Sequence, residues 1–244
     1  MILTGTRAHS LTRRRPISVM GSTFYKGEWM ESGDDPRLSP TAFLAEQPPD
    51  YTLVPHFHRN NQFQLFVEGS GVIGREPLSA VTVHYAGAYT GYGPLVSGPE
   101  GLKYFTIRAV CESGFTPNSE AREKMVRGPK RHARSESVPP LSASALASLA
   151  SIEERVMIAP GDDGMGASLT RLPPGAGFRP PHQPPSEGQF LFVTAGSIEH
   201  SGGTLGLWEH LWVHADDPPP LLTAGAGGAE VVAMTIPHKD PAYA

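Results

Sequence analysis

The chain has 244 residues and a formal net charge of −4, and its composition provides no concentrated basic face of the kind that a nucleic-acid partner requires. A single cysteine, Cys111, excludes an intrachain disulfide and a cysteine-rich zinc site, which is typical of a reducing compartment and predicts the cytoplasm. No apolar run reaches the roughly 18 residues of a membrane-spanning helix, so no membrane partner is predicted, whereas 27 glycines and 25 prolines favour an all-β fold.

Residues 1–19 are predicted to form a flexible N-terminal extension. The three arginines at 13–15 resemble the basic start of an export signal, which also needs an apolar stretch of about 7 to 15 residues. Pro16 and the serines and glycine that follow it interrupt that stretch, so export is not favoured. The fold is expected to begin near Met20.

An internal repeat divides the rest of the chain into two halves. The segment around His56 and Gln62 has a counterpart around His182 and Gln189, and the two glutamines lie 127 residues apart. A later glycine-rich block repeats at the same offset of 127 residues. Each copy combines alternating strands with glycine turns, so each predicts a small antiparallel β-barrel.

The repeat predicts two tandem barrels, an N-terminal one over residues 20–115 and a C-terminal one over residues 160–244. Residues 116–159 between them are predicted to be a linker with short helices. Ser142 or Ser144 is the candidate N-cap of the second helix.

The first copy concentrates side chains that suit a transition metal. Residues two apart in a strand point to the same face, so His56 and His58 project together into the predicted barrel. After a short turn, Gln62 and Gln64 continue on the neighbouring strand. Two imidazoles and a carboxamide oxygen suit a divalent ion, and open coordination positions would admit a substrate.

The spacing of His56, His58, Gln62 and Gly69 resembles the first motif of the cupin superfamily, with glutamine in the position that is usually acidic. The resemblance covers both halves of the chain and implies two tandem cupin barrels of the jelly-roll type, a bicupin. Cupins usually supply a further histidine from a second motif, and Tyr92 stands in that place here. The implied cofactor is one divalent metal, Fe, Ni, Mn or Zn, held by His56, His58 and Gln62.

Other residues of the first copy are predicted to contact the substrate. Tyr92 and Gln64 are the candidates for orienting a small molecule or moving a proton. Phe57, Phe66 and Tyr104 are expected to form the apolar walls of its pocket.

The second copy offers a weaker, degenerate site. His182 and Gln189 match the motif, but Pro184 stands where the second histidine would be. A lone imidazole and a neutral amide rarely hold a metal, so this barrel is predicted to be mainly structural.

Several functions stay open on the sequence. A metal-dependent non-haem dioxygenase acting on a small organic molecule is favoured, with the metal as Lewis acid and redox template. A lyase, isomerase or decarboxylase could use the same site, and the altered ligands also suit a non-catalytic binder of a small molecule or sugar. Cupin sheets often pair through exposed strands, so a homodimer stays open as well.

Overall fold

The computed structural model describes residues 2–19, 21–31, 39–112, 114–181 and 185–243. The chain divides into two compact units. Unit 1 consists of Met1–Ala8 and Pro139–Pro237, and unit 2 consists of His9–Val138 and His238–Ala244. The main chain thus passes from unit 2 to unit 1 between Val138 and Pro139, inside the segment that the sequence predicted as a linker.

Strands dominate the described residues, which confirms the all-β prediction. In chain order the strands are β1 (Ile2–Gly5), β2 (Arg15–Val19), β3 (Ser22–Met30), β4 (Thr41–Gln47), β5 (Thr52–Leu53), β6 (His56–Phe57), β7 (Gln62–Ile73), β8 (Glu76–Ser79), β9 (Thr82–Ala86), β10 (Leu95–Arg108), β11 (Thr116–Pro117), β12 (His132–Arg134), β13 (Glu153–Ile158), β14 (Gly166–Leu172), β15 (Gly177–Phe178), β16 (Gly188–His200), β17 (Gly203–Leu205), β18 (His210–His214) and β19 (Leu222–Ile236). The helices are α1 (Arg7–Arg13), α2 (Ala121–Lys124) and α3 (Ala143–Ala147), with 3-10 turns at Asn118–Glu120 and Pro241–Tyr243. None of the described helices is long and apolar enough to cross a membrane.

Unit 2 is built on an antiparallel sheet with the strand order β12-β9-β7-β10-β4-β3-β2. Strands β5 and β8 pair with β10 and β7, and β6 pairs with β11 in a separate ribbon. Strand alternation places Gln62, Gln64 and Phe66 on one face of β7. The apolar core on that side includes Phe24, Tyr51, Leu53, Phe66, Leu95, Leu102 and Tyr104.

Unit 1 is built on a sheet with the strand order β1-β18-β16-β19-β14-β13, to which β15 and β17 add. This order repeats that of unit 2, because β18, β16, β19, β14 and β13 follow one another as β9, β7, β10, β4 and β3 do. Strand β1 holds the place that β12 holds in unit 2. The core of unit 1 includes Leu172, Leu191, Val193, Leu211, Leu222 and Val231.

The glycines that mark the sequence repeat occupy equivalent positions in the two units. Gly69 has a φ of +79°, and a Cβ there would lie 2.2 Å from the carbonyl oxygen of Gly101. Gly196 has a φ of +70°, and a Cβ there would lie 2.1 Å from the carbonyl oxygen of Gly228. Only glycine fits such a close approach with a positive φ. The 127-residue offset therefore corresponds to the same glycine turn in both units.

Residues 2–19 form the strands β1 and β2 and the helix α1, where the sequence predicted a flexible extension. β1 pairs with β18, with Gly5 opposite His210, and β2 pairs with β3. A side chain at Gly5 would lie 2.0 Å from Nε2 of His210, so the glycine lets this strand join the sheet edge. The arginines at 13, 14 and 15 form ion pairs with the glutamates at 31, 46 and 28, respectively.

The segment 116–159 contributes to both units. Strand β12 pairs with β9 in unit 2, and β13 pairs with β14 in unit 1. Short helices form in this segment, and Ser142 is the N-cap of α3, because its side chain accepts a hydrogen bond from the Ala145 backbone N–H at 3.2 Å.

Candidate active site

Backbone pairing brings the residues of the predicted site together in unit 2. His56 and Tyr92 form an isolated β-bridge, in which each backbone N–H donates to the other's carbonyl at 3.1 and 3.0 Å. In the register of β7 and β10, Thr106 lies opposite Gln64, which brings Arg108 alongside Gln62. His56, Gln62, Tyr92 and Arg108 therefore come from four separate parts of the chain.

A directional chain of hydrogen bonds joins these side chains. Val54 offers a carbonyl oxygen 2.8 Å from Nδ1 of His56, so this nitrogen carries the proton and Nε2 is an acceptor. The Tyr92 hydroxyl lies 2.9 Å from Nε2 of His56 and donates to it. The Tyr92 oxygen in turn accepts from the Gln62 Nε2 amide at 2.6 Å. Each donor and acceptor in the chain is thereby assigned.

Arg108 begins this chain. Its Nε and Nη2 donate to Oε1 of Gln62 at 3.1 and 2.8 Å. Nη2 also lies 3.0 Å from Nδ1 of His58, and Nη1 donates to the backbone carbonyl of Glu112 at 2.9 Å. The guanidinium can only donate, so Nδ1 of His58 accepts.

Burial keeps His56, His58 and Tyr92 in their neutral forms at neutral pH. Desolvation, reinforced by the nearby Arg108 charge, lowers the pKa of His56 to about 4. The same two causes hold the pKa of His58 well below its ordinary value. Burial also raises the pKa of Tyr92 and lowers the pKa of Arg108, although a guanidinium stays charged in proteins. Arg108 therefore lies among neutral acceptors, with the Glu112 carboxylate 3.8 Å from Nδ1 of His58.

A cavity of about 180 Å³ is lined in part by these hydrogen-bonded side chains. Its apolar walls include Phe24, Phe43, Leu53, Tyr104 and Phe115. Its polar lining consists of Lys26, His56, His58, Gln64, Tyr92, Thr106, Arg108 and Glu112. The combination of aromatic walls and a few convergent polar groups is typical of a small-molecule site.

The other residues predicted for the first copy lie at differing distances from this cavity. Gln64 lines it, and its Oε1 lies 2.9 Å from Nδ1 of the buried His84. Burial lowers the pKa of His84 to about 3. Of the three predicted wall residues, Tyr104 lines the cavity, whereas Phe57 and Phe66 are buried away from its lining.

The side chains around His56 do not fit a transition metal in this arrangement. A metal ligand must offer a free lone pair, but Nε2 of His56 accepts from Tyr92. Nδ1 of His58 and Oε1 of Gln62 both accept from Arg108. Within the described residues, no group of three His, Cys, Asp or Glu side chains could hold a metal ion. The metal that the sequence predicted therefore lacks a matching donor set here.

Unit 1 has a counterpart of Gln62 but no counterpart of the charged Arg108. Gln189 is half-buried, and its Nε2 donates to Thr235 Oγ1 at 3.0 Å. The 127-residue offset makes Gln189 and Thr235 the equivalents of Gln62 and Arg108. His182 and Pro184 lie outside the described residues.

Arg108 is the functional residue that reasoning from the sequence missed. The sequence contained one signal for it, the alternation of Tyr104, Thr106 and Arg108, which share a strand face directed to the interior. An arginine that continues an inward-facing series is unlike the usual exposed arginine.

The chain has a cupin fold, because the solved structures that it resembles have that fold. No family model and no curated protein matches the chain. The bacterial pirin YhhW from Escherichia coli, in complex with nickel(II), has 15% identity and a TM-score of 0.55, over 97% of this chain and 99% of that chain. A putative dioxygenase from Nostoc punctiforme has 11% identity and a TM-score of 0.60, over 99% and 80% of the two chains. A deletion mutant of Bacillus subtilis oxalate decarboxylase has 11% identity and a TM-score of 0.55, over 94% and 77%.

Proposed function

We propose that the cavity of unit 2 is the active site of an enzyme that moves a proton on a small organic molecule without redox chemistry. The observation that carries this proposal is the 2.9 Å hydrogen bond between the Tyr92 hydroxyl and Nε2 of His56 in the cavity wall. The reaction class is that of a lyase, isomerase or decarboxylase.

The hydrogen-bond chain supports a defined route for the proton. A substrate C–H proton passes to the Tyr92 oxygen while the Tyr92 proton passes to Nε2 of His56. The C–H electron pair stays on the substrate as an enolate, and the Val54 carbonyl that accepts from Nδ1 stabilises the resulting imidazolium. The Arg108 charge, fixed before the substrate binds, stabilises the developing negative charge.

We also propose that units 1 and 2 are the two barrels of a bicupin. The shared strand order and the 127-residue offset between equivalent glycines support this interpretation. Thr235, in the place of Arg108, supports a mainly structural role for unit 1.

A metal-dependent dioxygenase is the second candidate. The likeness of the fold to a putative dioxygenase and to a nickel-bound pirin favours it. It would require His56, His58 and Gln62 to exchange their present hydrogen bonds for metal coordination.

Deuterium exchange tests the proposed function. One-ring 2-oxo acids such as phenylpyruvate are incubated with the protein in D₂O, and incorporation at the acidic carbon is measured by NMR while an electrode records oxygen. We expect exchange without oxygen uptake, and a loss of about 100-fold or more in Tyr92→Phe. Tyr104→Phe removes a hydroxyl from the same cavity wall and serves as the matched control.

The other outcomes separate the alternatives. Oxygen uptake that a chelator abolishes would favour the dioxygenase. Binding of these acids without exchange or oxygen uptake would favour the non-catalytic binder that the sequence left open.

A further inference from the structure

Arg108 is a buried cation that forms no ion pair within 4 Å among the described residues, and the nearest stabilising charge is the Glu112 carboxylate, which lies 3.8 Å from Nδ1 of His58. Its exposure is 2%, and its contacts are an amide, an imidazole, a backbone carbonyl and the Phe43 ring at 5.9 Å. Removing a charge from water without an ion pair is costly. A feature of this kind in a cavity wall calls for a functional reason.

The guanidinium occupies the position that the sequence assigned to a metal. Two of the three predicted ligands, His58 and Gln62, direct their lone pairs at Nη2 from 3.0 and 2.8 Å. The third, His56, is joined to the same group through Tyr92 and Gln62. The lone pairs that could coordinate a divalent ion therefore accept hydrogen bonds from the guanidinium of Arg108.

We infer that Arg108 is the resident cation of this site, takes the place of a metal ion, and binds the acidic group of an organic anion, a carboxylate or an enolate. This inference rests on the proposed function for the location of the substrate. It adds the class of substrate and the group that recognises it.

The number of N–H groups that Arg108 has for hydrogen bonding supports this role. A guanidinium has five N–H groups, and the hydrogen bonds to Gln62, His58 and Glu112 engage four of them. One Nη1–H is left to donate to a bound ligand. Lys26 also lines the cavity but is paired with Glu28 at 2.7 Å, and Glu112 is the one carboxylate among the lining residues that the structure describes.

The size and lining of the cavity define the rest of the ligand. Its volume of about 180 Å³ exceeds that of cavities of about 150 Å³ that hold benzene. Phe24, Phe43 and Phe115 provide apolar walls. The fitting ligand is therefore an organic acid with an apolar body of about one ring.

A metal-binding measurement tests whether Arg108 replaces the ion. The wild type, Arg108→Ala and Arg108→Lys are purified, their metal content is determined by mass spectrometry, and Ni²⁺ is titrated into each. We expect no stoichiometric metal in the wild type or in Arg108→Lys. Arg108→Ala frees the lone pairs of His58 and Gln62, so its Ni²⁺ affinity should rise about tenfold or more. One equivalent of tightly bound metal in the wild type would overturn the inference, whatever the variants do.

A second measurement tests the substrate class without relying on catalysis. Calorimetry compares benzoate with benzamide, which has the same shape without the charge. We expect the wild type and Arg108→Lys to prefer benzoate by about tenfold or more, and Arg108→Ala to lose this preference. Equal binding of the two probes to the wild type would contradict the anion assignment. If the preference for benzoate holds but Tyr92→Phe retains deuterium exchange, the proposed proton transfer fails while this inference stands.

Discussion

Tyr92 is the central residue of the hydrogen-bond chain, and Tyr92→Phe removes only its hydroxyl. That hydroxyl accepts from Nε2 of Gln62 and donates to Nε2 of His56. Gln62 and His56 are 1% and 2% exposed, so each loses a partner in a buried environment. The variant therefore leaves one donor and one acceptor unsatisfied at once.

The expected cost follows from these two atoms. A buried polar group left without a partner costs about 1–3 kcal/mol, which gives a range of about 2–6 kcal/mol for the pair. Tyr92 lines the cavity, and water that enters there can satisfy part of the loss. We therefore expect the free energy of unfolding of Tyr92→Phe to fall by about 2–3 kcal/mol.

Urea unfolding measures this loss against a matched control. Tyr104 is also buried in the cavity wall, but its hydroxyl accepts a hydrogen bond of 3.1 Å from Gln47 Nε2 and does not join the chain of hydrogen bonds from Arg108 to Val54. Tyr104→Phe should cost about 1 kcal/mol. Combining Tyr92→Phe with Gln62→Leu should give a coupling energy of about 1–2 kcal/mol. If Tyr92→Phe costs no more than Tyr104→Phe, and the coupling is absent, the hydrogen-bond chain is refuted.

Three further predictions concern unit 1. Burial lowers the pKa of His210 to about 4, so its proton uptake favours the unfolded chain between about pH 6.5 and 4, and stability is lost as the pH falls through this range. In urea unfolding, His210→Leu should remove about 2–3 kcal/mol of that loss between about pH 7.5 and 4.5; an unchanged pH profile would contradict this. Arg171→Ala leaves Glu230, which is 0% exposed, without its 2.9 Å ion pair and should cost about 3–5 kcal/mol, whereas a change below about 1 kcal/mol would show that Glu230 is satisfied elsewhere. Ser142→Ala removes the N-cap of α3 and should cost about 1 kcal/mol, while Ser142→Asp should restore it.

The repeat was predictable because its signals are local. Gly69 and Gly196 are needed at tight approaches between neighbouring strands, and only glycine fits there, so the sequence retains them at a fixed offset. The pairing of His56 with Tyr92 was also anticipated in part, since both belong to the motifs that the resemblance to cupins identified.

The N-terminal segment was not predictable in this way. Its order depends on partners that lie far along the chain, such as Glu46 for Arg14 and His210 for Gly5. A basic run beside Pro16 has the composition of an extension, and only the tertiary structure supplies the acidic partners that fix it.

Arg108 was missed for a related reason. Its role depends on the register of β10 against β7, which places it beside Gln62. The sequence showed acceptors that suit a metal, and a cation fifty residues away could not be placed among them without that register.

The state of the His56 imidazole tests the central claim most directly. Histidine labelled with ¹⁵N reports which ring nitrogen carries the proton, and His56→Gln assigns the signal. Nitrogen NMR between about pH 7 and pH 5 should show a neutral ring with the proton on Nδ1, unchanged when a chelator is added. A proton on Nε2, a charged ring at about pH 6, or a signal that changes with the chelator would contradict the hydrogen-bond chain from Arg108 to Val54.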